Sequence, residues 1–221
     1  MAVTGGLLAA GLIPRGSPSP ARGSPTPSAL PTPSAPAPFT TEPRVYFVPL
    51  ENYHELPPEC YEANLIHPLE IILHWDGNDR RDLQLAQVTY QTLKLLKQSS
   101  HFAVDETKIW QLLPMYQTVV QESHGAKGYN WEAINIEMAG INFDAQDRRP
   151  PESQIRLTLL LVSQLMDFYG LPLAHIVGHF ERDERGLKQD PGEKFLAEFR
   201  ERLQAYRVKL SPLKQMLLNE H

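Results

Sequence analysis

The sequence predicts a single α/β domain, with a central mixed β-sheet flanked by helices, behind a disordered Pro/Ser-rich tail. Three observations carry this. Composition changes near residue 44, from a Pro/Ser/Ala-rich stretch to ordinary globular sequence. Beyond that point short apolar runs alternate with long amphipathic segments, the signature of packed sheet and helix layers. Two adjacent runs read as a hairpin, so the sheet contains an antiparallel pair.

The tail comes first. Residues 14–43, "PRGSPSPARGSPTPSALPTPSAPAPFTTEP", carry almost no large apolar side chain. Such a stretch cannot offset the entropy of ordering and is expected to be extended and disordered. "GGLLAAGLI" at 5–13 is too short to span a bilayer as a helix. Two readings stand for it. It is the apolar part of a signal peptide, although no Lys or Arg precedes it, or it is a disordered apolar end. We divide the chain into an N-terminal segment, 1–43, and a folded domain, 44–221.

Within the domain, "LEIILHWD" (69–76) is an apolar run ending in polar residues and reads as a buried strand. "DLQLAQVTYQTLKLLKQ" (82–98) reads as a helix with Leu85, Val88, Thr92 and Leu96 on one face. "SHFAVDETKIWQLLP" (100–114) reads as two strands turning at Asp105–Glu106–Thr107. "NWEAINIEMAG" (130–140) alternates Ile134, Ile136 and Met138 with Asn135 and Glu137, a strand with two distinct faces. Residues 150–170 open with two prolines and close on Gly170 before Pro172, the start and stop signals of a long helix. "LAHIVGH" (173–179) reads as a short strand. Residues 192–210 form an amphipathic helix with Phe195, Phe199, Leu203 and Tyr206 on one stripe.

Bulk chemistry narrows the function. A net charge of -5 leaves no basic footprint, which argues against nucleic acid as the main partner. No transmembrane span is expected, and a monomer is. The single cysteine, Cys60, excludes an intrachain disulfide framework and a multi-cysteine zinc site. A metal in this chain would need histidine and carboxylate ligands.

Functional groups in α/β folds gather at strand ends. His74 ends the first apolar run, His179 ends "HIVGH", and Glu137 interrupts an apolar strand. Each has an ordinary alternative. A lone histidine at a strand end is commonly a hydrogen-bonded structural residue, and Glu137 on an uncovered face would simply meet solvent. The run "ERDERGLKQD" reads by default as a solvated loop. His175 and His179 have the spacing of a helical chelate, but Pro172, Ile176–Val177 and Gly178 argue for a strand, and no Glu follows His175. Zinc chemistry would join the set: two histidines and a carboxylate are a catalytic ligand set that leaves one position for water. Lys188 and Asp190 are two apart, so on an extended segment both side chains face the same way.

Four motifs, in order over roughly 69–200, give a resemblance. "IILHW", "SSHFAVDETKIWQLLP", "SHGAKGYNWEAINIEMAG" and "IVGHFERDERGLKQDPGEKF" resemble the zinc-dependent N-acetylmuramoyl-L-alanine amidases. These share a fold with peptidoglycan recognition proteins and the amidase-type lysozymes of phage. The resemblance implies Zn(II) as cofactor with His74, His179 and Asp190 as its ligands. It implies Glu137 as the catalytic glutamate and Lys188 as the lysine assisting at the carbonyl oxygen. His124 matches a histidine of the segment lining the substrate groove, although Ser123 stands at the usual tryptophan and Gly125–Ala126 inverts the usual order. His101 matches a family position and is read as structural, and His175 is assigned a core or supporting role. Within that resemblance, an aspartate as third ligand and Ser100 where a tyrosine is common favour the bacterial glutamate-type branch. Trp75–Asp76 after the first histidine departs from the small hydroxyl residue usual at the second place.

The implied activity is hydrolysis of the amide between N-acetylmuramic acid and L-alanine, in peptidoglycan or muropeptides. The alternative from another class is a non-catalytic module of the same fold that only recognises peptidoglycan. The tail points to a secreted or cell-envelope enzyme, with a cytoplasmic recycling enzyme as the alternative.

Overall fold

A computed structural model of the chain describes residues 40–78, 85–126 and 128–218. The expected disorder of 1–43 falls almost wholly on 1–39, outside the described residues. Contacts reach back to Glu42, whose carboxylate accepts hydrogen bonds from the Thr118 N–H and hydroxyl. The elements in chain order are β1 (Leu65–Ile66), β2 (Glu70–Trp75), α1 (Leu85–Leu96), β3 (Phe102–Val104), β4 (Ile109–Gln111), β5 (Val120–Gln121), β6 (Ala133–Met138), α2 (Glu152–Tyr169), β7 (Ile176–Gly178) and α3 (Glu193–Leu218).

Five strands form one mixed sheet in the order β4-β3-β6-β2-β7. The β3–β4 hairpin is antiparallel, and the pairs β3–β6, β6–β2 and β2–β7 are parallel. β1 and β5 make a separate two-stranded antiparallel ladder. The expected mixed sheet with flanking helices is therefore present. Parallel strands bury both faces, which explains the unbroken run Ile71–Ile72–Leu73 in β2.

The period of two gives the sheet two different faces. Ile71, Leu73, Ile134, Ile136, Met138, Phe102 and Val104 join Ile155, Leu159, Val162, Phe195, Phe199 and Leu203 of α2 and α3 in the main core. On the opposite face Ile72, Ala133 and Val177 pack under Ala126. That face also carries Asn135, His74 and Glu137, since register pairs Ile72 with Asn135 and His74 with Glu137. The stripe expected on the last helix is the one that docks α3. Phe199 is fully buried there, so Phe199→Ala should cost roughly 3–5 kcal/mol, read as a lowered denaturant midpoint.

α2 begins after Pro150–Pro151 and ends on Gly170, whose left-handed φ of 70° needs no Cβ and whose N–H reaches the Met166 carbonyl. Gln154 of α2 donates to the carbonyls of Val104 and Ala139, pinning this helix against the ends of β3 and β6.

Two sequence expectations are corrected. "LAHIVGH" is a strand only over Ile176–Gly178; Leu173–His175 and His179–Glu181 are single 3-10 turns on either side. The short turn after β7 lifts His179 off the sheet edge toward its partners. The face of α1 is also different. Ala86, Thr89 and Leu93 are buried against the domain, while Thr92 is exposed and Leu96 is 57% exposed.

Candidate active site

The site lies over the C-terminal end of β2. His74 follows the apolar run of that strand and is buried, with Glu137 directly beside it across the parallel β2–β6 pair. His179 enters from the turn after β7, and Asp190 returns from the loop that follows. His74 Nδ1, His179 Nδ1 and Asp190 Oδ2 form a triangle with all three sides 3.0 Å. All three residues are buried, and together they could hold one metal ion.

The donor set fits a divalent ion. His74 Nε2 is 2.8 Å from the Asn135 Oδ1, an acceptor, so its hydrogen sits on Nε2 and the Nδ1 lone pair faces the triangle. An imidazole lone pair and a carboxylate oxygen pointing at one another repel unless a cation lies between them. Donors 3.0 Å apart suit ligand distances of roughly 2.0–2.2 Å to one ion. Burial opposes ionisation of Asp190, but the His179 and His74 imidazoles 3.0 Å away hold its carboxyl well below the usual carboxylate range.

Glu137 differs from Asp190. Burial lifts its carboxyl to about 7, against the pull of His74 and with the push of the Asp76 and Asp190 carboxylates. Its Oε2 is buried without a hydrogen-bond partner. A carboxylate near neutrality with a bare oxygen is suited to taking and returning a proton. Asp76, at the position where the sequence departs from a hydroxyl residue, accepts from the N–H groups of Asn78 and Gly140 and from the Thr89 hydroxyl of α1.

These side chains open on a cavity of about 290 Å³ whose walls include Lys188 and Trp75, Thr92 and Leu96 of α1, and Gly125. Thr92 and Leu96 of the expected α1 stripe thus line the cavity, together with Thr89 and Leu93. An apolar stripe on a helix reads the same in sequence whether it meets a core or a ligand groove.

Residues 66–193 match the family N-acetylmuramoyl-L-alanine amidase (Amidase_2), well over half of the chain. The chain belongs to this family. Membership makes it a hydrolase, one that cleaves the amide of cell-wall peptidoglycan. Among solved structures it is similar to the catalytic domain of XlyA, at 23% identity and a TM-score of 0.55, covering 69% of this chain and 95% of that one. A mutant endolysin from Bacillus subtilis gives 21%, 0.53, 69% and 95% for the same measures. The N-acetylmuramoyl-L-alanine amidase LysC from Clostridium intestinale URNW gives 18%, 0.51, 69% and 97%. At these identities the likeness is one of fold. No curated protein matches the chain. No described helix of this amidase is long and apolar enough to cross a membrane.

The other expected residues fall as follows. Lys188 is exposed at the cavity wall. His124 is not on that wall; its Nε2 is 2.9 Å from Glu62 and its N–H donates to Ser99 Oγ, and the adjacent Gly125 takes the wall position. His101 is buried, accepts from the Asn135 N–H at Nδ1 and donates from Nε2 to the Gln121 carbonyl. Burial lowers its pKa to about 4, so it is neutral and structural. His175 is neither core nor near the site: it is exposed, with Nδ1 2.7 Å from the Leu69 carbonyl.

Sequence reasoning missed Asn135, because its partners stand 61, 34 and 12 positions away. It also read the run after His179 as plain solvated loop. Arg182 instead clamps the buried Glu70 with Nε and Nη2, and Asp183 caps the N–H groups of Leu187 and Lys188. Arg182→Leu should strand the Glu70 carboxylate and cost roughly 2–3 kcal/mol, less than a fully buried pair because Arg182 is partly exposed. Urea unfolding measures it.

Proposed function

We propose that the chain is a zinc-dependent N-acetylmuramoyl-L-alanine amidase in which His74, His179 and Asp190 hold the ion. The observation that carries this is the 3.0 Å triangle of buried donors beside an unpartnered glutamate oxygen, within a family of that activity. Bound there, zinc would polarise the scissile carbonyl and lower the pKa of a water to roughly 7.

The chain's own residues do the rest. Glu137 takes a proton from the attacking water as the oxygen–carbonyl bond forms. It returns that proton to the nitrogen of L-alanine as the amide bond breaks, leaving a lactyl carboxylate and a free amine. Lys188, at the wall, places an ammonium group to balance charge developing on the carbonyl oxygen. Leu96 and Trp75 give that wall apolar contact with substrate, and His124 supports the segment from behind through Glu62.

Peptidoglycan in the cell envelope is the proposed substrate, and the Pro/Ser-rich composition of 14–43 supports an exported enzyme. The test is metal removal. Chelation should abolish release of stem peptides from purified peptidoglycan, and added zinc should restore it. Activity that persists in metal-free protein would contradict this reading.

A further inference from the structure

His74 turns Nδ1 to the donor triangle and Nε2 the other way, 2.8 Å from Asn135 Oδ1. Asn135 is fully buried in β6, two residues before Glu137. Its amide is fixed at the far end, where Nδ2 donates to the buried Ser123 Oγ at 2.7 Å. Its backbone is fixed as well: the N–H donates to His101 Nδ1 at 3.0 Å, and the carbonyl accepts from the His101 N–H at 2.9 Å. The segment above leaves room for this amide, since a Cβ on Gly125 would lie 2.8 Å from Asn135 Cγ. Among the described residues, His179 Nε2 has no comparable partner.

We infer that Asn135 is a positioning residue that holds His74 in the Nε2–H form and so presents the Nδ1 lone pair to the metal. This rests on the zinc reading above. An outer partner of a ligating histidine is worth roughly 10- to 100-fold in metal affinity. An amide oxygen serves here without adding a second negative charge beside Glu137. Gly125 and Ser123 matter through Asn135, the one by giving space and the other by accepting the hydrogen bond of its Nδ2.

The experiment uses the full chain and titrates zinc against a competing chelator in the parent, Asn135→Leu and Asn135→Asp proteins. The leucine has similar volume and no acceptor, whereas the aspartate keeps an acceptor that the Ser123 hydroxyl can meet. The expected result is a roughly 10- to 100-fold loss of zinc affinity for Asn135→Leu, and affinity at or above the parent for Asn135→Asp. Equal losses in both variants, or no loss in either, would overturn the inference. A parent protein that binds no zinc would overturn the metal reading instead, and this inference with it. Independently of any substitution, nitrogen-15 spectra of the metal-free parent at pH 9 should show His74 protonated at Nε2 and bare at Nδ1. Protonation at Nδ1 would overturn the inference even if neither variant folds.

Discussion

Glu137→Gln keeps zinc bound and loses the hydrolysis, with turnover falling about 100- to 10,000-fold, the usual worth of a general acid–base group. Glutamine matches the shape of the side chain but cannot accept the proton of the attacking water. The same substitution should stabilise the metal-free protein. Glu137 has its pKa raised from 4.5 to about 7, chiefly by burial. A raised carboxyl binds its proton more tightly in the folded state. Its contribution to stability is therefore fully present below pH 4.5 and is lost as pH climbs through about 7. Above that range an ionised, desolvated carboxylate costs the fold on the order of 3 kcal/mol. Metal-free Glu137→Gln should thus unfold at higher denaturant than the parent at pH 8, with the gap closing toward pH 5. A gap that does not change with pH would show that Glu137 does not titrate in the folded protein as described.

Asp190→Ala removes the only charged member of the donor triangle. Structural zinc is bound by roughly 10–16 kcal/mol over four ligands, so one ligand is worth about 2.5–4 kcal/mol, a loss near 100- to 1000-fold. Two neutral imidazoles should not retain the ion through dialysis. Zinc content by elemental analysis and peptidoglycan hydrolysis should fall together. Unchanged zinc content in Asp190→Ala would mean that the ligands are other residues. The two variants separate the roles: one keeps metal without turnover, and the other loses both.

Much of the fold was legible because burial leaves a periodic trace. The alternation in 130–140 marked β6 and its two faces, and the stripe of Phe195, Phe199 and Leu203 marked the core side of α3. β1 and β5 went unread because two residues carry no period. The α1 face was misassigned because Thr92 and Leu96 serve a cavity, not the core. His74, His179 and Asp190 were named from motifs, and their burial together follows from strand order, which places β7 next to β2. Asn135 and the Arg182–Glu70 clamp left no local signal at all. Each depends on a partner brought near only by the sheet, 61 and 112 residues away.

The central claim is that one bond is cut, the amide between N-acetylmuramic acid and L-alanine. Zinc-loaded protein should be incubated with purified peptidoglycan, and new amino termini and new reducing ends counted side by side. The account predicts N-terminal L-alanine appearing with time, no new reducing ends, and neither product with Glu137→Gln. Wall binding without any new alanine amine would contradict it and leave a recognition module of the same fold.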